Sequence, residues 1–197
     1  MALSKKLLVI VLGAMLALAG CGDGDEGDRN GGGDNNYTYA GRTVTIGDLT
    51  WMAENLNRNT SDSWCYGDTD SYCPTYGRLY SWDAAMSACP VGWRLPTREN
   101  WNDLVEVAGG DVAGTKLKSE SPDWNGTDDF GFSALPGGTR IAGGTYGNGG
   151  TYGNWWSATE DDADRARALA WSMFSGNDHV AENRNRKTSG HSVRCVR

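Results

Sequence analysis

The sequence predicts an α+β fold. One domain over residues 41–197 has two helices flanking a mostly antiparallel sheet, a long irregular loop region and two disulfides. Three observations carry this. The domain opens and closes on strand-like patterns, two segments of helical period lie between them, and four cysteines remain once Cys21 is set aside. A domain of this size buries about 70% of its unfolded surface, enough for a true core. The chain has 28 Gly and nine Trp, with 39% hydrophobic residues, so its glycine excess does not make it a disordered composition. With 18 Lys+Arg against 25 Asp+Glu, no basic footprint for nucleic acid is expected.

Thr43–Ile46 and Leu49–Met52 around Gly47-Asp48 read as a β-hairpin, and the order Gly-Asp favours a type II′ turn over type I′. Leu79–Cys89 places Leu79, Trp82, Ala85, Met86 and Cys89 at helical spacing, and Pro90 stops it. Thr97 is the expected N-cap of a second helix, with Glu99 in its first turn. That helix carries Trp101, Leu104, Val105 and Ala108 on one face and ends at Gly109-Gly110.

Residues 119–140 are broken by Gly and Pro and can supply only short strands. The hexapeptide GGTYGN occurs at 143–148 and again at 149–154; two copies are too few for a solenoid and read as a Gly-rich loop with two surface Tyr. Tyr152–Thr159, Ala168–Phe174 and Ser192–Arg197 are the expected closing strands, the second alternating Leu169, Trp171 and Met173.

Ahead of the domain, Lys5 and Lys6 precede an apolar run from Leu7 to Leu18, and Leu18-Ala19-Gly20 stands before Cys21. The run is short for a membrane span and fits a secretory signal over residues 1–20. Leu-Ala-Gly-Cys resembles the bacterial lipoprotein box, which implies processing at Cys21 and lipidation of its sulfur. Processing would remove two Lys and no acid, taking the formal charge from −7 to −9. Residues 21–40 then read as a flexible, acidic, Gly-rich tether, of which the wholly polar run 22–36 has a reach of about 20 Å. Acids directly after a lipidated Cys resemble a surface-export signal of Bacteroidetes-type lipoproteins, and a solubilising spacer explains them equally well. The expected state is anchoring to the outer membrane of a cell envelope rather than spanning it.

The four remaining cysteines are Cys65, Cys73, Cys89 and Cys195, which allow three disulfide connectivities. Cys65 and Cys73 flank the loop from Tyr66 to Tyr72 and make a local staple. Cys89 and Cys195 would then pair over 106 residues, a closure for which chain entropy gives about 4 to 5 kcal/mol. A zinc site competes on composition but lacks close CxxC pairs.

Four segments resemble a known family in order: Val44–Gly47 with Trp51–Leu56, Tyr76–Trp82, Cys89–Thr97, and Trp155–Ser157 with Ser192–Val196. They are similar to the Fibrobacter succinogenes major paralogous domain of envelope lipoproteins, and the likeness runs from about Gly41 to the last residue. The resemblance implies a C-type-lectin-like or formylglycine-generating-enzyme-like fold. In such a fold the first helix is commonly bonded to the last strand, which supports Cys89 with Cys195. One departure stands at Asn100, where an acid is expected before Trp101; it reads as a surface change without consequence.

Catalysis is not expected. His179 and His191 lie in polar stretches and read as solvated, and no P-loop, GxSxG or HExxH motif is present. The copper-dependent cysteine chemistry of formylglycine-generating enzymes does not carry over to cysteines that are lipidated or bonded. No cofactor is expected. Calcium is the alternative weighed, on Asp123, Asn125, Asp128 and Asp129 or on Glu160, Asp161, Asp162 and Asp164, neither with EF-hand spacing. The candidate ligand-binding residues are Trp124, Asp128, Asp129, Tyr146, Tyr152 and Trp155, the four aromatics as a platform for a glycan or an envelope protein. A structural envelope module without a specific ligand and a degenerate formylglycine-generating-type enzyme are the alternatives.

Overall fold

Strands β1 (Thr43–Ile46) and β2 (Leu49–Met52) form the expected hairpin, with Ile46 paired to Leu49 across a two-residue turn. Of the two turn residues only Gly47 has positive φ, at 60°, the pattern that separates type II′ from type I′. The computed structural model describes residues 37–197. The expected signal segment, the lipidated Cys21 and most of the tether lie outside the described residues. Within them, Tyr37 and Tyr39, read as tether, pack on the domain: Val91 N–H donates to the Tyr37 carbonyl at 3.2 Å and the Tyr39 ring meets Trp93 edge-on. Two half-buried aromatics hold this stretch where a purely polar tether would not.

Strand β3 (Ser63–Trp64) leads into helix α1 (Cys73–Tyr76), and β4 (Leu79–Tyr80) pairs antiparallel with β3. The helix expected from Leu79 therefore starts later, as α2 (Trp82–Ala88), because the Ser81 hydroxyl accepts from Ala84 N–H and caps it there. Its buried face is Trp82, Ala85 and Ala88, and Met86 stays 47% exposed rather than joining the core.

Helix α3 (Arg98–Ala108) buries Trp101, Leu104 and Ala108 as the periodicity predicts. Thr97 is its N-cap in a reciprocal capping box whose other half is Asn100. Asn100 Oδ1 accepts from Thr97 N–H at 3.1 Å and from Arg94 Nη1 at 2.6 Å, so this residue ties the helix to the preceding turn and is no idle surface change.

After the short helix α4 (Gly114–Leu117), the segment to residue 138 carries only isolated bridges, as its breakers predict. Strands β5 (Thr139–Arg140) and β6 (Tyr146–Gly147) form a small hairpin, and the first GGTYGN copy supplies β6. The second copy runs into β7 (Tyr152–Glu160), which pairs with β8 (Arg167–Phe174), itself paired with β9 (Val180–Arg186).

Two differences from expectation stand out here. The β9 strand reads VAENRNR, an edge strand with no apolar alternation to announce it. Ser192–Arg197 adds no further regular strand and instead bridges several partners: Ser192 to Trp155, and Val196 to both Trp51 and Arg94.

Central strand β8 is covered on both sides. Leu169, Trp171 and Met173 enter a core with Trp51, Trp101, Trp124, Phe132 and Trp155. Ala168 and Ala170 face a second core with Met52, Leu56, Tyr80, Trp156, Val193 and Cys195. Seven of the nine Trp are buried, and the Trp101 and Trp171 rings stack at 5.7 Å. Disulfides join Cys65 to Cys73 and Cys89 to Cys195, with Cα separations of 5.0 and 5.9 Å. The second bond fixes the end of α2 to the closing segment.

Candidate functional site

The structure divides the six residues expected to bind a ligand. Trp124 and Trp155 are not on the surface: both are core, Trp124 Nε1 donating to the Ala134 carbonyl at 2.7 Å and Trp155 Nε1 to Asn55 Oδ1 at 2.8 Å. A buried indole with its N–H satisfied is a packing group, unable to present a face to a ligand. Asp128 closes its own loop, accepting from Ser133 N–H and Oγ, each at 2.6 Å. Asp129 is exposed beside it. Tyr152 is half-buried and stacks on Phe174 at 4.5 Å.

Tyr146 alone leads to a concave site. Its ring meets Tyr66 edge-on at 5.4 Å, and its hydroxyl donates to Asp68 at 2.5 Å. Burial and the Asp68 carboxylate both raise the Tyr146 pKa above that of a free phenol. Behind this pair opens a groove of about 200 Å³ lined by Tyr66, Tyr72, Tyr76, Pro136, Gly137, Gly149 and Gly150.

Each wall has a local cause. The Cys65–Cys73 bond ties off the loop that carries Tyr66 and Tyr72, and α1 follows at once, with Tyr76 as its last residue. Tyr72 is 44% exposed and lies between Tyr66 (5.9 Å, edge-on) and Tyr76 (6.2 Å, tilted). Asn55 Nδ2 donates to the Tyr76 carbonyl at 2.8 Å, so the groove floor is bonded to a buried core residue.

Glycines let the opposite wall close on Tyr66. A Cβ at Gly149 would stand 2.6 Å from Tyr66 Cζ, and one at Gly138, where φ is +71°, would stand 2.6 Å from Tyr66 Cε2. Gly149 N–H donates to Tyr66 Oη at 3.2 Å. The groove residues Tyr66, Tyr72 and Tyr76 escaped sequence reasoning. The available signal was three tyrosines in and just after a disulfide-closed loop, and the second repeat copy, whose glycines 149 and 150 line the far wall.

Elsewhere the polar groups are engaged structurally. His191 is buried, not solvated: its ring packs on Trp156 at 4.3 Å, Nδ1 shares a hydrogen with Thr139 Oγ1 at 2.9 Å, and Nε2 has no partner among the described residues. Burial lowers its pKa to about 3, so it stays neutral. His179 is exposed, in contact with the Asp111 carbonyl.

The acids after Trp155-Trp156 spread among separate partners: Glu160 with Lys187, Asp161 with Arg184, and Asp164 with Arg167. Among the described residues no three His, Cys, Asp or Glu side chains converge on a metal-sized space, so the two acidic clusters weighed for calcium are not assembled as ligand sets. The fully buried Arg194 is held by carbonyl oxygens of Met52, Phe132 and Ser133 and by Asn55 Oδ1, and burial lowers its pKa. Lys118 Nζ similarly donates to the carbonyls of Phe174 and Asn177.

Comparison with curated proteins and with solved structures gave no match. The model of the Fibrobacter succinogenes major domain matches residues 44–197, from the first strand to the closing segment that carries Arg194 and Cys195. The chain belongs to the Fibrobacter succinogenes major domain family.

Proposed function

We propose that this is a lipid-anchored protein of the bacterial cell envelope whose domain binds a glycan or protein ligand without catalysis, through the Tyr66–Tyr72–Tyr76 groove. The observation that carries the reading is the groove itself: three tyrosines on and just after a stapled loop, open to solvent, against a wall of glycine backbone. Rigid aromatic surfaces of this kind give contact area at little entropic cost. The lining holds tyrosine, proline and glycine and no nucleophile–base pair.

Anchoring through lipid on Cys21 to the outer membrane rests on the basic, apolar and Leu-Ala-Gly-Cys pattern before it. The architecture is read as C-type-lectin-like, supported by two helices beside an antiparallel sheet and a bond from α2 to the closing segment. The formylglycine-generating alternative needs free thiols, and the four domain cysteines are bonded.

Metabolic labelling of the full chain with a clickable fatty acid tests the anchor. Label is expected in the membrane fraction and lost in Cys21→Ala; equal labelling of both would overturn it. Binding of cells carrying the full chain to envelope glycans and proteins, compared with cells carrying Tyr72→Ala, tests the groove. Equal binding by both would overturn the groove reading.

A further inference from the structure

Resting on that reading of the groove, we infer that its ligand is a neutral saccharide, one ring of which seats on Tyr72 and Tyr76. Four observations converge. The groove's volume, about 200 Å³, lies below the roughly 300 Å³ at which pockets begin to hold drug-sized molecules, and suits one ring-sized unit of a longer chain. No charged side chain lines it, and the chain's net charge is −7, so an anionic ligand would find repulsion and no cation in the lining.

The hydroxyls of Tyr72 and Tyr76 make no hydrogen bond to the described residues, whereas that of Tyr146 is committed to Asp68. Tyr66 Oη accepts from Gly149 N–H, which leaves its own proton free to donate. A pyranose or furanose ring matches this set: its C–H face packs on an aromatic ring, and its hydroxyl rim can both donate to and accept from phenols.

The staple makes the site ready before the ligand arrives. Tyr66 is clamped by glycine backbone and the loop is closed at both ends, so little ordering remains to oppose binding. The ring of Tyr72 is 44% exposed and so accessible to a ligand.

The test uses detergent-solubilised full-length protein labelled with 3-fluorotyrosine. It is titrated with maltopentaose, xylopentaose and chitopentaose, with an oligogalacturonate as the anionic probe and a proline-rich peptide as the peptide probe. At least one neutral pentasaccharide is expected to shift the Tyr72 and Tyr76 resonances, with an affinity insensitive to salt. Tyr72→Ala is expected to weaken it about tenfold and Tyr76→Phe, which keeps the ring, about threefold to tenfold.

Shifts produced only by the oligogalacturonate or only by the peptide would overturn the neutral-saccharide assignment while leaving the groove as a binding site. If no probe moves the tyrosine resonances, the assignment and the groove reading both fall. Neutral-sugar binding that survives in Tyr72→Ala and Tyr76→Phe, with both variants folded, would place the sugar elsewhere and overturn the proposal.

Discussion

Asn55 Oδ1 receives two buried donors at once, the Trp155 indole N–H at 2.8 Å and Arg194 Nε at 2.9 Å. Its amide then donates to the Tyr76 carbonyl and to Ser192 Oγ. One side chain thus joins the core, the closing segment and the groove floor. Replacing it with Leu orphans an indole and part of a buried guanidinium, at a cost of about 3 kcal/mol or more. Urea unfolding of Asn55→Leu should show this loss, and Asn55→Asp should recover part of it by keeping an acceptor for Arg194.

His191 makes stability depend on acid. Its folded pKa, about 3, lies below the usual 6.5, so between those values the unfolded chain binds more protons and stability falls as pH falls. The expected contribution is about 1.4 kcal/mol per pH unit within that window. His191→Asn should flatten the slope of unfolding free energy against pH relative to wild type. An unchanged slope would mean that His191 is not the group responsible.

Removing the long staple should cost about twice as much as removing the short one. Cys89–Cys195 closes 106 residues and Cys65–Cys73 only eight, and the entropy lost by the unfolded chain grows with loop length. Cys89→Ser with Cys195→Ser is expected to lose about 4 kcal/mol, read as a lower denaturation midpoint. Cys65→Ser with Cys73→Ser is expected to lose about 2.5 kcal/mol and to loosen the tyrosine loop, seen as faster amide exchange over residues 66–72.

Gly149→Ala tests the clamp on Tyr66. The new methyl meets a ring already hemmed in by Gly138, Tyr72 and Tyr146, so the ring must shift against its neighbours and stability should fall by about 1 to 3 kcal/mol. The shift disturbs the groove wall, and saccharide affinity should drop. Calorimetry with the pentasaccharide series, beside thermal melts, checks both halves.

Asn100→Ala removes one arm of the capping box and the acceptor for Arg94, and is expected to cost about 1 kcal/mol. Asn100→Asp keeps both bonds and places a negative charge in the first turn, so it should match or exceed wild type. Thermal denaturation of the two variants distinguishes the capping role from an inert surface position.

The sequence made legible those elements whose cause is local. The turn at Gly47-Asp48, the cap at Thr97, the stop at Gly109 and the buried stripe Trp101–Leu104–Ala108 all follow from neighbours within a few residues. Strand β9 was hidden because an edge strand can be polar throughout, and Trp124 and Trp155 were misplaced because a Trp suits a core and a surface equally. The groove was illegible for a different reason. It joins Tyr72 to Gly149 and Pro136, residues far apart in the chain, and only Tyr146 and the repeat hinted at it.

Residues 192–197 have a further consequence, for the timing of folding. Thr50 and Arg197 exchange two backbone hydrogen bonds, Val196 pairs with both Trp51 and Arg94, and Arg194 reaches Asn55 across 139 residues. The opening hairpin therefore has no finished core until the last of these residues is available. The core around that hairpin thus closes over a loop of about 140 residues, a non-local pairing that forms slowly.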